Sequence, residues 1–285
     1  MNSINNEWPT WLRDIDSLIA VHSHFVILGN IRDWYRLPLE TNPLVPNAAV
    51  AIQAALAFSG FDVMLLHDIV SGYSIQTIDG DTEAGWGSVR SVVDIDLRSS
   101  DSRDLSILGT VISKLGNSNV RRLALILNDA SRLINRVEQL DQAELELFRV
   151  ASNASREAKR PLINNSKRYV FNPVFWLVDR EHDLPAWLTA ANPGIHSISI
   201  PFPDLSERNA VAAMLIGQPN NNVDLDKVTN ELAAGTDGLG VSSLVHILNL
   251  CPDQNIDLEN IDDAIRIYKV GAAESPWRKG EVARR

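Results

Sequence analysis

The chain reads as an α/β protein: a mostly parallel sheet of five strands flanked by helices on both faces, followed by a small all-helical domain. Three observations lead there. Five short apolar runs stand out, His24–Leu28, Phe61–Leu66, Leu123–Leu127, Val174–Val178 and His196–Ile200, most of them apolar on nearly every residue. A strand apolar on both faces belongs inside a sheet covered by helices, because a sheet with one wet face would alternate. Most of these runs are separated by segments with helical spacing, which is the alternation of a doubly wound sheet. From about Asn220 onward only helical periodicity remains.

The elements follow in order. The opening MNSINNEWPTWLRDIDSL lacks the basic start and apolar run of a secretory leader. Trp8 and Trp11 sit at its amphipathic entrance and suit a core-packing or partner-docking helix. With Asp14 and Asp16 against Arg13, the stretch is a poor membrane anchor. After the first strand, alanine-rich Ala48–Phe58 forms a helix stopped by Gly60. Residues 75–95, punctuated by Gly80, Gly85 and Gly87, hold a hairpin or an insertion. Asp104–Leu115 has apolar residues at Leu105, Leu108, Val111, Ile112 and Leu115 and ends at Gly116. The longest helix candidate is Leu140–Ala158, with Leu145, Phe148 and Ala151 on one face. Ser206–Ile216 starts after a proline, and Gly217–Asn222 (GQPNNN) marks a hinge. Three shorter helices follow, Leu225–Ala234 before Gly235, Val241–Leu250 before Cys251-Pro252, and Leu258–Val270 before Gly271. The expected organisation is an α/β domain over 1–219, a helical domain over 220–271 and a charged, proline-interrupted tail or linker over 272–285.

Composition narrows the function. The 285 residues are 45% apolar, enough for a substantial core, and carry a net charge of −10. An acidic balance argues against nucleic acid as a partner, since binding phosphate backbones needs a basic footprint. Cys251 is the sole cysteine, so neither an intramolecular disulfide nor a thiolate zinc cluster is available, and a cytoplasmic setting is expected. No apolar stretch approaches the roughly 18–20 residues that span a bilayer, so no membrane partner is expected either.

The segment from Asn172 to Ala212, NPVFWLVDREHDLPAWLTAANPGIHSISIPFPDLSERNAVA, resembles the part of AAA+ ATPases that holds the sensor-1 strand, a Leu-Pro turn, a short helix, the last strand and a Pro-Asp-x-x-x-Arg opening of the next helix. Upstream, Leu123–Ser131 (LALILNDAS) looks like a Walker B strand. Downstream, Gly238–Leu248 (GLGVSSLVHIL) is similar to the family's lid helix. Phe25–Trp34 (FVILGNIRDW), with Tyr73 after the second strand, looks like the amino half of bacterial tandem AAA-type proteins. The resemblance covers most of residues 20–270 and implies a RecA-like sheet followed by a helical lid.

The departures from that family carry equal weight. A P-loop, G-x-x-x-x-G-K-[ST], closes backbone N–H groups around phosphates and reaches them with a lysine. No lysine occurs in residues 1–113, and Gly29 is the only glycine in Gly29–Val45, where Trp34, Tyr35 and Arg36 fill the space. The Walker B acidic pair is Asn128-Asp129 here, and an amide neither neutralises a metal nor takes a proton near neutral pH. Arg180 stands where the family tends to carry a polar sensor residue, beside Asp179 with which it makes an expected local pair. Glu181–Glu207, the stretch for arginine fingers, has no arginine or lysine. Arg208 matches the family arginine opening the helix after the sheet, with an expected packing or hydrogen-bonding role.

The resemblance and its gaps together imply a degenerate nucleotide site at Asn128, Asp129 and Arg180, with no catalytic residue and no metal assigned and no cofactor expected. The function implied is a pseudo-ATPase module for assembly, adaptor or regulatory work. Its partner would be a protein: the chain itself, as an oligomer, or an active AAA+ ATPase. One alternative is a nucleotide-binding ATPase that takes ATP and Mg through Asp129 and an arginine such as Arg32 or Arg36; loop arginines otherwise read as solvated charge. Another is a protein-docking domain without ring assembly. His22 and His24 alternate onto one face of an extended segment, with His67-Asp68 as the nearby third element of a metal site, against hydrogen-bonded histidines at strand ends. Cys251 reads as a small core residue, and Asp94, Asp96, Asp101 and Asp104 as solvated surface.

Overall fold

The computed structural model describes residues 4–101, 103–119, 122–160, 169–190, 192–217, 224–254 and 256–271. Contacts divide the chain into two compact units that meet in sequence at Ile200 and Pro201. The hinge expected at Gly217–Asn222 lies almost wholly outside the described residues, as does the tail expected over 272–285.

The first unit runs α1 (Thr10–Leu18), β1 (His24–Gly29), β2 (Trp34–Arg36), β3 (Leu44–Pro46), α2 (Asn47–Phe58), β4 (Val63–Asp68), β5 (Gly72–Thr77), α3 (Thr82–Val93), α4 (Leu105–Asn117), β6 (Leu123–Leu127), α5 (Gln142–Glu157), β7 (Val174–Leu177), α6 (Ala186–Thr189) and β8 (Ile195–Ile200). The main sheet has six strands in the order β5-β4-β6-β7-β1-β8. Pairing is parallel from β4 to β8, and β5 runs antiparallel to β4. The five apolar runs thus become five parallel strands.

The sixth strand corrects the expected count. β5 lies at the sheet edge and alternates between covered and open positions, so it has no continuous apolar run to betray it. β2 and β3 form a separate two-stranded hairpin of three residues each, too short for any period to register.

Both faces of the sheet are covered, and the strands show it residue by residue. Phe25 and Ile27 of β1 face one core with α1 and α2, while Val26 between them faces the other with α3, α4 and α5. Trp8 and Trp11 are buried in the first core, Trp8 against Phe58 and Trp11 against Tyr35, each pair 5.2 Å between ring centroids. The core-packing reading of α1 holds. The region 75–95 resolves into β5 and α3. The four aspartates read as solvated surface are turn and cap residues: Asp94 ends α3 in the left-handed region, Asp96 and Asp104 cap the turns that follow them, and Asp101 accepts from Arg103 N–H.

The second unit is helical: α7 (Leu205–Ile216), α8 (Leu225–Gly235), α9 (Val241–Asp253) and α10 (Ile261–Val270). The contact division thus groups α7 with the other three helices. Arg208 organises it. Its buried guanidinium donates to Ala233 O (2.9 Å), Pro203 O (2.7 Å) and Asp237 Oδ1 (2.9 Å), which ties the start of α7 to the end of α8. α9 runs on past the expected stop to Asp253, because Pro252 lies in its last turn and there removes one hydrogen bond without ending the helix.

Candidate functional site

In an open parallel sheet the crevice for ligands lies at the carboxyl ends of the strands, where the strand order reverses. Here β1 is that point, lying between β7 and β8 while the chain crosses from it to β4. The ends of β1, β6 and β7 therefore define the candidate site.

β1 ends at Gly29, with φ +93°, a conformation that suits glycine. A Cβ there would stand 2.5 Å from Ile200 O, so glycine is also required by the close approach of β8. The chain then turns on itself. Asn30 N–H donates to Ile200 O (3.0 Å), the Asn30 amide donates to Asp33 (2.9 Å), and the Tyr35 hydroxyl donates to Asn30 O. It enters the β2–β3 hairpin before α2 begins at Asn47. A helix N-terminus binds phosphate through backbone N–H groups left without partners. In α2 these groups are used internally: Asn47 N–H donates to Asp33 O (2.8 Å), Ala48 N–H to Ile31 O (2.8 Å) and Val50 N–H to Asn47 Oδ1 (3.1 Å).

The turn places Arg32 across the mouth of the site. Its guanidinium bridges the carboxylates of Asp129, at the end of β6, and Asp179, just past β7. Arg132 adds a second cation at 3.5 Å from Asp179. The hydrogen bond to Asp179, with that to Asp129, raises the Arg32 pKa above its ordinary value against an opposing effect of burial. Ser131 locks the two strand ends together, donating to Asp183 Oδ2 (2.7 Å) and accepting from Asp179 N–H (2.8 Å). An open cavity of about 520 Å³ lies beside these groups, bordered by Gly29, Arg32, Arg132, Asp179 and Arg180.

The residues expected at a degenerate nucleotide site are not brought together as one set. Asp129 meets Arg32. Asn128 turns the other way, and its amide donates to Asp68 Oδ2 (3.0 Å) at the end of β4. Partial burial works to raise the Asp68 pKa, but hydrogen bonds from Ser71, the Asn128 amide and Val70 N–H outweigh it and hold the carboxyl below its usual range. Arg180 is exposed at the cavity rim and bonds Asp183 through its backbone N–H (2.9 Å). The expected Asp179–Arg180 pair is corrected: Asp179 takes Arg32 and Arg132 instead, because neighbours along extended chain project to opposite sides. Arg36 is exposed on the hairpin.

The histidines also part company. His22 stacks on His196 at 4.9 Å, whereas His24 is buried and accepts from Trp176 Nε1 (3.3 Å), and His67 packs against Tyr73 at 4.8 Å. The shared face expected for His22 and His24 is lost because His22 lies outside β1, in the loop before it.

The comparisons with known proteins agree with this architecture. A family model described as the N-terminal Rossmann-like domain of AAA+ chaperones matches residues 3–201. No curated protein matches by sequence. Among solved structures, a chain of the E. coli MS115-1 HORMA–CdnC–Trip13 complex superposes with a TM-score of 0.51 at 10% identity, covering 92% of this chain and 78% of that one. The FIGL-1 AAA domain gives a TM-score of 0.46 at 10% identity, over 86% of this chain and 71% of that one. The family match, with a mostly parallel sheet flanked by helices and a helical C-terminal region, supports an AAA+ ATPase-like family.

Proposed function

Because the chain belongs to the family of AAA+ chaperone N-terminal Rossmann-like domains, we propose that it acts as a non-catalytic AAA+-like module. Its work is assembly, adaptation or regulation within a protein complex, with a second copy of itself or an active AAA+ ATPase as partner, in the cytoplasm. No helix among the described residues is long and apolar enough to cross a membrane. The observation that carries the reading is the Arg32 bridge. The Arg32 guanidinium already pairs both strand-end carboxylates, Asp129 and Asp179, and this supports a site without a resident magnesium–triphosphate. The N–H groups of Asn47, Ala48 and Val50 at the start of α2 support it independently, since each already has an acceptor within the chain and little of the backbone there is left to close on phosphate.

A second reading has one observation in its favour. The cavity of about 520 Å³ beside Gly29 presents Arg32, Arg132 and Arg180, cations suited to an anionic ligand such as ATP. On this reading Arg32 turns from the carboxylates to the ligand, a change open to a side chain that is 56% exposed, since exposed ion pairs contribute about 0–1 kcal/mol. Mixing the protein with Mg-ATP and following both binding and phosphate release separates the two. We expect neither; turnover near one per second, on the order of a working phosphotransferase, defeats the non-catalytic reading.

A further inference from the structure

α4 and α5 lie side by side and run in the same direction, each leading into one strand of a parallel pair. Where they finish, Lys159 N–H donates to Gly116 O (2.8 Å). Between them lies an open groove of about 620 Å³, floored by Leu105, Gly109, Leu147 and Val150 and edged by Thr110. Gly109 keeps it deep. A side chain there would begin at ordinary contact distance, 3.9 Å, from Leu147 and Val150 and would rise into the groove.

The two ends of the groove differ in charge. Exposed Glu146 stands toward the end where both helices begin, and the exposed cap carboxylates Asp104 and Asp141 lie beyond it. Exposed Lys114 stands at the opposite end. The sequence contains a segment of matching pattern. Residues 272–285, AAESPWRKGEVARR, carry one large apolar side chain, Trp277, with Glu274 three residues before it and Arg278 and Lys279 directly after it; Glu281, Arg284 and Arg285 follow, so the stretch after Trp277 is basic on balance. An indole brings about 150–250 Å² of mostly apolar surface on few rotatable bonds, which suits a floor built around a glycine.

We propose that the α4–α5 groove docks residues 272–285 of a second copy of this chain. Trp277 sits on the apolar floor over Gly109, Glu274 faces the Lys114 end, and Arg278 and Lys279 face Glu146. The inference rests on the assembly reading and gives it a surface and an occupant. The charge order along the segment selects this partner over an unrelated apolar helix, because it matches the order along the groove.

The test uses a fluorescently labelled peptide of residues 272–285, titrated into the full chain carrying Trp277→Ala so that its own segment does not compete. Binding with a Kd on the order of 10–100 µM is expected. Trp277→Ala in the peptide, or Thr110→Phe in the groove, should weaken it about tenfold or more. Glu146→Lys, an exposed change that leaves the core alone, should weaken it too. Absence of binding, or binding indifferent to both Thr110→Phe and Glu146→Lys, overturns the proposal. Light scattering of the full chain supplies the second arm, with association expected for the native sequence and reduced for Trp277→Ala. Association unchanged by Trp277→Ala defeats groove docking while leaving the assembly reading intact; a strict monomer at high concentration defeats both.

Discussion

His24 shows what burial does to a single titratable group. The ring is enclosed between β-strand neighbours and Trp176, whose indole N–H it accepts at 3.3 Å, so Nδ1 is the acceptor and the proton sits on Nε2, which has no partner. Burial pushes its pKa from 6.5 down to about 3, since a charged imidazolium there would lose its water. The unfolded chain binds a proton that the folded one refuses between those two values. The contribution is therefore complete above pH 6.5 and is lost as the pH falls toward 3, by about 1.4 kcal/mol per pH unit. Urea unfolding at pH 6.5 and pH 5 is expected to show about 1–2 kcal/mol of that loss. His24→Gln keeps an acceptor for Trp176 and has no proton to gain, so its stability should fall less between the same two pH values. An equal fall in both proteins would mean that other groups govern acid sensitivity. Arg32 marks the opposite case, an exposed cation whose importance is positional, and its removal should barely move stability.

Asn172 shows how one buried side chain joins elements. Its amide donates to Leu115 O (3.2 Å) at the end of α4 and its carbonyl accepts from Leu123 N–H (3.1 Å) at the start of β6. Leu115 O also accepts from Ser118 N–H, so the acceptor for Leu123 N–H is the one that matters most, and the residue is buried, so water does not replace it. Asn172→Ala is expected to cost about 2–3 kcal/mol, read as a lower urea midpoint with unchanged slope; a loss under 0.5 kcal/mol would refute the bridging role, roughly the scale of a surface change. The same distinction explains what was legible beforehand. β1, β4, β6 and β7 were readable because both faces are covered, β8, an edge strand, because Ile195, Ile198 and Ile200 are buried between polar residues, and α4 and α5 because their apolar spacing faces one core. β5 was not, since an edge strand with one open face has no unbroken apolar run, and neither were β2 and β3, at three residues each. At the site, Asp129 and Asn128 stood out as the polar stop of an apolar strand. The pairing of Asp129 with Arg32, and the part of Asp179 in it, did not, because Asp129 and Asp179 lie 97 and 147 residues from Arg32 and only the sheet order brings them to it.

At the scale of the molecule the question is whether the AAA+ architecture still responds to nucleotide. On the proposed reading two features would oppose nucleotide separately: the Arg32 bridge between the carboxylates, and the N–H groups of Asn47, Ala48 and Val50 in α2, which donate to Asp33, Ile31 and Asn47. Removing the bridge leaves the second feature in place. A ligand that binds only the folded state stabilises it by about 2.7 kcal/mol at one hundred times its Kd. For a protein of this size that is upward of about 5 °C in Tm. Millimolar Mg-ATP is therefore expected to leave the Tm of the native chain unchanged, and to leave that of Arg32→Ala unchanged as well, because the amides remain committed. A shift of several degrees in the native chain would return the protein to the nucleotide-binding class. A shift confined to Arg32→Ala would make the guanidinium the sole block, a removable plug in an otherwise competent site, and the consumed α2 amides would then have to be regarded as exchangeable rather than fixed.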